Sequence, residues 1–279
     1  MQTWSPFVRK PGTQFPPSSR LCETFQRIAL RTEGWLTEGR RPALVPSETS
    51  ITDLNLFELS KRHPRSVFVR RFTQFDEHTN GSDWEWCIGA RSSWYRMRIQ
   101  AKKLDNFGRH YDCLDDVLDQ KTGPAELQIT RLIRTAGSMP AIYCLYNGEP
   151  DPVLAVRWDI PCDPAGMWLH GCSIASASAL EPLVKAGKKG IVDIAPLSRP
   201  WSDLVCCPKG TDIATRVQSV CSGLGEREGQ EPGQLLGQID RQPPEWAVRL
   251  REGSGDLGIP LAGHPDGVVL IDLSDENSR

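Results

Sequence analysis

The stretch GSDWEWCIGARSSWYRMRIQAKKL, residues 81–104, decides the fold of this chain. It predicts two antiparallel β-strands joined by a short polar turn, because apolar and polar side chains alternate with a period of two. Asp83 and Glu85 share one face of the first strand. If the strands pair, these acids lie near an amide and an ammonium, a pattern typical of a metal-and-lysine site. The simpler alternative is a half-buried hairpin with charges on its wet face. The polar face of the second strand consists of Arg96, Arg98, Gln100 and Lys102.

Charge is distributed unevenly along the 279 residues, whose net charge is −2. Residues 61–103 carry ten Lys and Arg against four Asp and Glu, which makes that segment +6 and the remainder −8. A positive segment in an acidic chain favours a local anionic partner. The length allows one large domain or two modest ones, and nine Trp and eight Phe supply bulky core residues.

The nine cysteines contain no C-x-x-C pair, and their number is odd. This usage predicts free thiols in a reducing cytoplasm rather than a disulfide framework or a zinc site. The first residues, MQTWSPFVRKPG, contain no apolar signal region, and no run approaches the length of a membrane span. We therefore expect a cytoplasmic protein with no membrane partner. The sequence also lacks a Walker loop and a Gly-x-Ser-x-Gly motif.

Periodicity and turn residues predict the order helix, strand, strand, strand, helix, strand for the central part of the chain. An earlier amphipathic helix is predicted at 18–32. The central elements are a helix at 50–62 capped near Ser50, a strand at 67–75, the two strands of the opening stretch, a helix that begins at Gly123-Pro124 and ends at Gly137, and a strand at 141–146.

The remainder is predicted less regularly, with helices at 174–186 and 213–220, a strand ending at 205–207, an exposed loop at 223–234 and a strand at 268–273. We expect three regions. Residues 1–46 form an N-terminal arm and helix, residues 47–148 form an α/β core, and residues 149–279 form an α+β elaboration packed on that core.

The αβββαβ order, with Asp83 on the second strand and Gln100-Ala101-Lys102 seventeen residues later, resembles the PD-(D/E)xK nuclease superfamily. The resemblance covers residues 48–147 and implies a restriction-endonuclease-like fold with a mixed central sheet. Gln100 departs from the Glu or Asp that usually begins the third-strand motif. The run from ETSITD to PAIYCLYN is also similar to an uncharacterised bacterial family that is associated with this fold.

The resemblance implies a Mg²⁺ site, with Mn²⁺ as a substitute, held by Asp83, the Gln100 side chain and the backbone carbonyl of Ala101. Lys102 would orient or deprotonate the attacking water, or neutralise the developing anion. The supporting acid is Glu48, with Glu58 as the alternative for the same role. Further candidates are Glu85, which could instead pair with Arg96 or Arg98, and Gln128, whose expected tyrosine partner is replaced by Leu132.

Five basic residues are predicted to contact phosphates: Arg70, Arg71, Arg96, Arg98 and Lys103. The predicted function is therefore Mg²⁺-dependent cleavage of nucleic acid, with DNA favoured. Fold-level analogy adds a role in bacterial defence, with a homo-oligomer or a defence-system protein as partner. The alternative is a catalytically inactive subunit of the same fold that binds nucleic acid or serves assembly. A structural or sensor protein is a third class.

Overall fold

The computed structural model describes residues 20–41, 43–72, 82–118, 126–148, 171–206, 212–225, 237–259 and 265–275. Within them the chain is an α/β protein with a mixed eight-stranded sheet and seven α-helices. The helices are α1 Arg20–Gly39, α2 Glu48–Arg62, α3 Gln128–Ala136, α4 Ala177–Lys185, α5 Ile191–Ile194, α6 Ile213–Ser222 and α7 Glu245–Arg251. The sheet strands are β1 Val67–Arg71, β2 Trp84–Ala90, β3 Ser93–Lys103, β6 Ala141–Tyr146, β7 Cys172–Ser176, β8 Ser198–Pro200, β9 Ile239–Asp240 and β10 Gly267–Asp272; β4 Val117–Leu118 and β5 Glu126–Leu127 pair separately.

The order across the sheet is β1-β10-β2-β3-β6-β7-β8, and β9 pairs with the start of β3. The pairs β10–β2 and β3–β6 are parallel, and the other neighbours are antiparallel. β10 reads GVVLID and is buried throughout, as expected for an interior strand covered on both faces. It separates β1 from β2, so the sheet centre contains a strand from far along the chain.

The central hairpin agrees with its prediction. β2 and β3 pair antiparallel around a two-residue turn at Arg91 and Ser92, and Arg91 has a positive φ of 53°. Opposite Trp84 lies Ile99, and opposite Glu85 lies Arg98, so the predicted apolar and polar faces are correct. The polar face of the hairpin is the face on which the candidate site lies.

Helices cover both faces of the sheet. Helices α1, α2 and α6 pack on the face that carries the apolar side of the hairpin. The opposite face is covered by α3, α4 and α5 beside β6, and by α7 beside β10. Among the described helices, none has the length and apolar character needed to cross a membrane.

Several predicted boundaries differ from the structure. α1 extends to Gly39, beyond the predicted end at residue 32. α2 begins at Glu48, because the Ser47 hydroxyl accepts the Ser50 N–H at 3.1 Å and provides the N-cap. α3 begins at Gln128, because Glu126–Leu127 forms β5, and it ends at Ala136 with the expected Gly137 as its C-cap. The predicted start at residues 123–124 lies outside the described residues. The strand predicted at 67–75 ends at Arg71; residues 73–75 are not described.

The C-terminal half joins the same sheet. The predicted helix at 174–186 is wrong for its first three residues, which belong to β7. No strand ends at residues 205–206; a 3-10 helix, Trp201–Leu204, precedes them. The strand predicted at 268–273 is confirmed within one residue as β10. β7, β8, β9 and β10 all belong to this sheet, so segments on both sides of residue 148 contribute strands to it.

The expectation that all cysteines are thiols is wrong for one pair. Cys22 of α1 and Cys206 form a disulfide, with their Cα atoms 5.1 Å apart. They are 184 residues apart in sequence, so spacing alone gave no signal for the pairing. The cysteines at 87, 113, 144, 172 and 221 are free, and those at 162 and 207 lie outside the described residues.

A candidate active site beside the central hairpin

A cleft of about 260 Å³ opens where β2 begins and β3 ends. Four of the residues predicted for metal binding and catalysis line it together: Glu48, Asp83, Gln100 and Lys102. Glu48 comes from the first turn of α2, Asp83 precedes β2, and the other two lie near the end of β3. The register that pairs Trp84 with Ile99 brings Asp83 close to the end of β3.

Asp83 is held firmly at the floor of the cleft. Its N–H donates to Ile99 O at 3.0 Å, and its carbonyl accepts the N–H of Gly267 in β10 at 3.1 Å. The carboxylate accepts the Ala101 N–H at 2.8 Å. These bonds to β10 and β3 fix both the backbone and the side chain of the first predicted metal ligand.

Gln100 faces Asp83 and is 3% exposed. Its Nε2 lies 2.9 Å from each Asp83 carboxylate oxygen and 3.3 Å from the Ala101 carbonyl oxygen. Its Oε1 is buried without a hydrogen-bond partner in the part of the chain that the structure describes. An acceptor without a partner is unusual for a buried amide.

Lys102 is 4% exposed, and its ammonium points into the cleft. Its Nζ lies 3.7 Å from Asp116 Oδ2, which belongs to a side chain that is 47% exposed. The pair is too long for a strong hydrogen bond, so the buried ammonium keeps capacity for a further anion.

Glu48 is the most perturbed acid of the cleft. Burial, followed by the charge of Asp83, raises its pKa to about 8, while Lys102 and the N–H of Lys103 oppose the rise. At neutral pH the carboxyl therefore holds a proton that a nearby cation would displace. Thr52 supports this helix end, because its hydroxyl bonds to Glu48 O at 3.0 Å and to the Tyr146 hydroxyl at 2.8 Å.

The alternative acid Glu58 lies outside the cleft. It pairs with Arg62 and with Arg31, the latter at 3.3 Å, and the hydrogen bond from Arg62 lowers its pKa. The structure therefore brings Glu48, not Glu58, to the other site residues.

Glu85, the other acid predicted for catalysis, also lies outside the cleft. Its carboxylate accepts Arg96 Nη2 at 2.7 Å, Arg98 Nη2 at 3.0 Å and Trp246 Nε1 at 3.0 Å. Burial lowers the pKa of Arg98, and Glu85 opposes that shift. The cross-strand alternative is thus the one that the structure supports, and both arginines are directed to an internal carboxylate instead of a phosphate.

The remaining residues predicted to bind phosphate lie in different places relative to the cleft. Arg70 donates to the carbonyls of Ser254 and Gly255 at 3.1 and 3.3 Å, outside the cleft. Arg71 lines the cleft and pairs with Asp53. Lys103 follows Lys102 at the end of β3.

Sequence reasoning missed Asp116 and Asp266, which line the cleft from loops. No periodic pattern marks a loop acid, so no signal could have found them. Gln128 lines the cleft too, as one alternative proposed; its N–H donates to Asp116 O at 2.8 Å, and its buried Oε1 has no hydrogen-bond partner among the described residues.

The donors available for a cation are all oxygens. No cluster of three or more His, Cys, Asp or Glu side chains suited to a metal occurs among the described residues. The available set combines the Asp83 and Glu48 carboxyls with the orphaned Gln100 Oε1 and the Ala101 carbonyl. Hard oxygen donors with one or two carboxylates suit Mg²⁺. Gln100 can join them if its amide turns by half a rotation, so that Oε1 faces the Asp83 carboxylate.

The fold and the cleft define an α/β protein with a polar, partly unsatisfied site beside a central hairpin. The chain belongs to DUF6615, a family of unknown function, whose model matches residues 21–277. Comparison with curated proteins and with solved structures gives no match.

Proposed function

We propose that this protein is a Mg²⁺-dependent phosphodiesterase of the restriction-endonuclease-like fold that cleaves nucleic acid, with DNA favoured. One observation carries the proposal. Glu48, Asp83, Gln100 and Lys102, which are separate in sequence, line a single cleft beside the hairpin.

The strand directions support the superfamily assignment. β2 and β3 are antiparallel, α3 follows, and β6 lies parallel to β3, which gives the αβββαβ order a mixed sheet. The departure is β10, which lies between β1 and β2. An added strand at that position leaves the arrangement of β2, β3 and β6 unchanged.

Asp83 and Glu48 would hold the cation, together with Gln100 Oε1 and the Ala101 carbonyl. A bound Mg²⁺ would stabilise negative charge on the phosphate and lower the pKa of a coordinated water. The N–H of Ala101 keeps one Asp83 oxygen in place. Gln100 Nε2 also lies 2.9 Å from both oxygens, so a cation would bind Asp83 once the Gln100 amide has turned its Oε1 toward the site.

Lys102 supplies the positive charge that the reaction needs on the protein side. Its ammonium is buried and lies 3.7 Å from the half-exposed Asp116. A buried ammonium stabilises a phosphorane-like anion more strongly than an exposed one would, because the local dielectric is low. Lys102 can also orient the attacking water by donating a hydrogen bond to it.

The test uses Asp83→Asn and Lys102→Met, with Lys185→Met as the matched control. Lys185 forms a surface pair with Glu181, and its side chain is 55% exposed. Plasmid, linear single-stranded DNA and RNA are each incubated with every variant, with and without Mg²⁺. We expect Mg²⁺-stimulated cleavage to fall at least about a hundredfold in the two site variants and to persist in the control. Unchanged cleavage in both site variants, each with a wild-type melting temperature, rejects the proposal.

A catalytically inactive nucleic-acid-binding or assembly subunit is the second candidate. The Gln100 amide favours it, because Nε2 donates to both oxygens of Asp83 and occupies the carboxylate without a metal. Calorimetric titration with Mn²⁺ separates the two candidates. An active site binds Mn²⁺ in wild type and loses that binding in Asp83→Asn, whereas the inactive subunit shows no binding that depends on Asp83. Cytoplasmic location and a defence role, with an oligomer or a defence protein as partner, are further proposals that rest on analogy.

A further inference from the structure

A well-braced loop leaves the cleft directly after Lys102 and Lys103. It spans residues 104–111, and the bridge between Leu104 and Tyr111 closes it at its base. Both of these residues are 1% exposed. Within the loop, the side chain of Asp105 accepts the Arg109 N–H at 2.8 Å, and the Asp105 N–H donates to His110 O at 2.7 Å. The tip of the loop is therefore held in one conformation.

The tip displays an aromatic ring to solvent. Phe107 is 83% exposed, more than any other large hydrophobic side chain among the described residues. A phenylalanine so exposed on a braced loop gains nothing from the core. It is available to stack on a flat partner.

Arg40 lies against the same tip. A Cβ atom built on Gly108 would lie 2.5 Å from Arg40 Nη2, and so would one built on Gly148, so the guanidinium is packed between two glycine backbones. Gly108 also has a positive φ of 72°, which favours glycine there. In the described part of the chain Arg40 forms no ion pair, and neither does Arg109, although an arginine fork is built to bind carboxylate or phosphate.

The cations and the exposed ring at the loop tip favour one class of partner. Arg40, Lys103 and Arg109 have no carboxylate partner among the described residues, whereas the nearby Asp105 is used within its own loop. These cations differ from Arg70, Arg96 and Arg98, which bond internally. Free cations beside an exposed aromatic ring suit a nucleic-acid strand whose bases are unstacked. A duplex hides its base faces and could not use Phe107.

We propose that the Arg40–Phe107 surface, formed by Arg40, Phe107 and Arg109, with Lys103 at the start of the same loop, binds single-stranded nucleic acid. A base stacks on Phe107, and a backbone phosphate binds Arg40. The inference rests on the proposed function in one respect, since the strand that is bound here continues into the cleft. Phe107 follows Lys102 by five residues, so the two are at most about 18 Å apart. One nucleic-acid strand is therefore long enough to reach both residues.

The test measures binding without divalent ions, so that cleavage plays no part. Fluorescence anisotropy with a short labelled single-stranded DNA, the matching RNA and the DNA duplex is recorded over a range of salt concentrations. The variants are Phe107→Ala and Arg40→Gln. Their controls are Phe57→Ala, a phenylalanine that is 61% exposed on α2, and Arg65→Gln, an exposed arginine after α2. Phe107→Tyr is the conservative variant.

Phe107→Ala should weaken single-strand binding about tenfold and leave its salt dependence unchanged, and Phe107→Tyr should restore the affinity. Arg40→Gln should instead reduce the slope of log K against log salt by about 0.7, because one phosphate contact is lost. Both controls should bind as wild type does. Wild-type affinity in Phe107→Ala, or duplex binding as tight as single-strand binding, overturns the proposal.

The binding test and the cleavage test of the proposed function can give different results. If single strands bind as described but Mg²⁺ supports no cleavage, the surface stands and the nuclease assignment falls. If cleavage depends on Asp83 and Lys102 while Phe107→Ala changes nothing, the surface falls and the nuclease assignment stands.

Discussion

The central hairpin carries two polar clusters side by side on one face, and they differ in what their carboxylates bind. In the arginine cluster, Glu85 accepts bonds from Arg96, Arg98 and Trp246, and Arg98 Nε has no hydrogen-bond partner among the described residues. In the cleft cluster, formed by Glu48, Asp83, Gln100 and Lys102, the Gln100 Oε1 has no partner among the described residues, and Lys102 is 3.7 Å from its nearest described carboxylate.

This difference teaches which cluster is structural. Buried polar groups that satisfy one another make a region rigid, and each unsatisfied group lowers stability. A folded chain retains unsatisfied groups mainly where they have a task. Residues of the same types on the same two strands thus have different surroundings, because α2 supplies Glu48 to one cluster and α7 supplies Trp246 to the other.

The largest expected effect breaks the arginine cluster. Glu85→Ala leaves Arg96 and Arg98 without their carboxylate, and we expect it to lower the free energy of unfolding by roughly 3–5 kcal/mol. Urea denaturation measures the change. Glu245→Ala removes a surface pair with Arg249 and should cost less than about 1 kcal/mol. Equal losses in the two variants would show that the arginine cluster is not a structural element.

A smaller effect concerns the pH dependence of stability. The pKa of Glu48 is about 8 in the folded chain against an ordinary value of 4.5, so between these values the unfolded chain has released a proton that the folded chain retains. Stability therefore falls as the pH rises through this window, by a few kcal/mol in total. Glu48→Gln should remove that component of the fall.

The measurement compares urea denaturation of wild type and Glu48→Gln from pH 4.5 to 8, because other groups titrate equally in both. Mg²⁺ should flatten the wild-type curve and leave that of the variant unchanged. A wild-type curve parallel to the variant curve contradicts the role of Glu48 as the buried acid of the cleft.

The smallest expected effect concerns Gln100. Gln100→Glu places a second carboxylate against Asp83, which should destabilise the metal-free protein by about 1–2 kcal/mol and strengthen its response to Mg²⁺. Thermal denaturation with and without Mg²⁺ measures both parts. An inactive binding subunit would lose the stability without gaining the response, which distinguishes it from an enzyme.

Local periodicity predicted the hairpin well. The alternation over 95–103 gave both the strand and its polar face, and the spacing between Asp83 and Gln100 gave their convergence. Both are short-range properties, because a turn of two residues fixes the register. Glycine after a helix is likewise a local signal, and Gly137 correctly marked the end of α3.

Contacts between segments that are distant along the chain could not be predicted from the sequence. Trp246 of α7, which also binds Glu85, lies more than 150 residues further along the chain. The Cys22–Cys206 disulfide and the position of β10 between β1 and β2 are likewise contacts between distant segments. Such pairings leave no local period, so the pattern of the interacting segments alone could not reveal them.

The location of β10 determines when the cleft can form during synthesis. Its Gly267 N–H binds the carbonyl of Asp83, and its parallel pairing with β2 joins segments more than 180 residues apart. Distant pairings form slowly and late. During synthesis, the Asp83 backbone is therefore held in place only after residue 267 has left the ribosome. A half-made chain would contain all four cleft residues but lack the strand that positions Asp83.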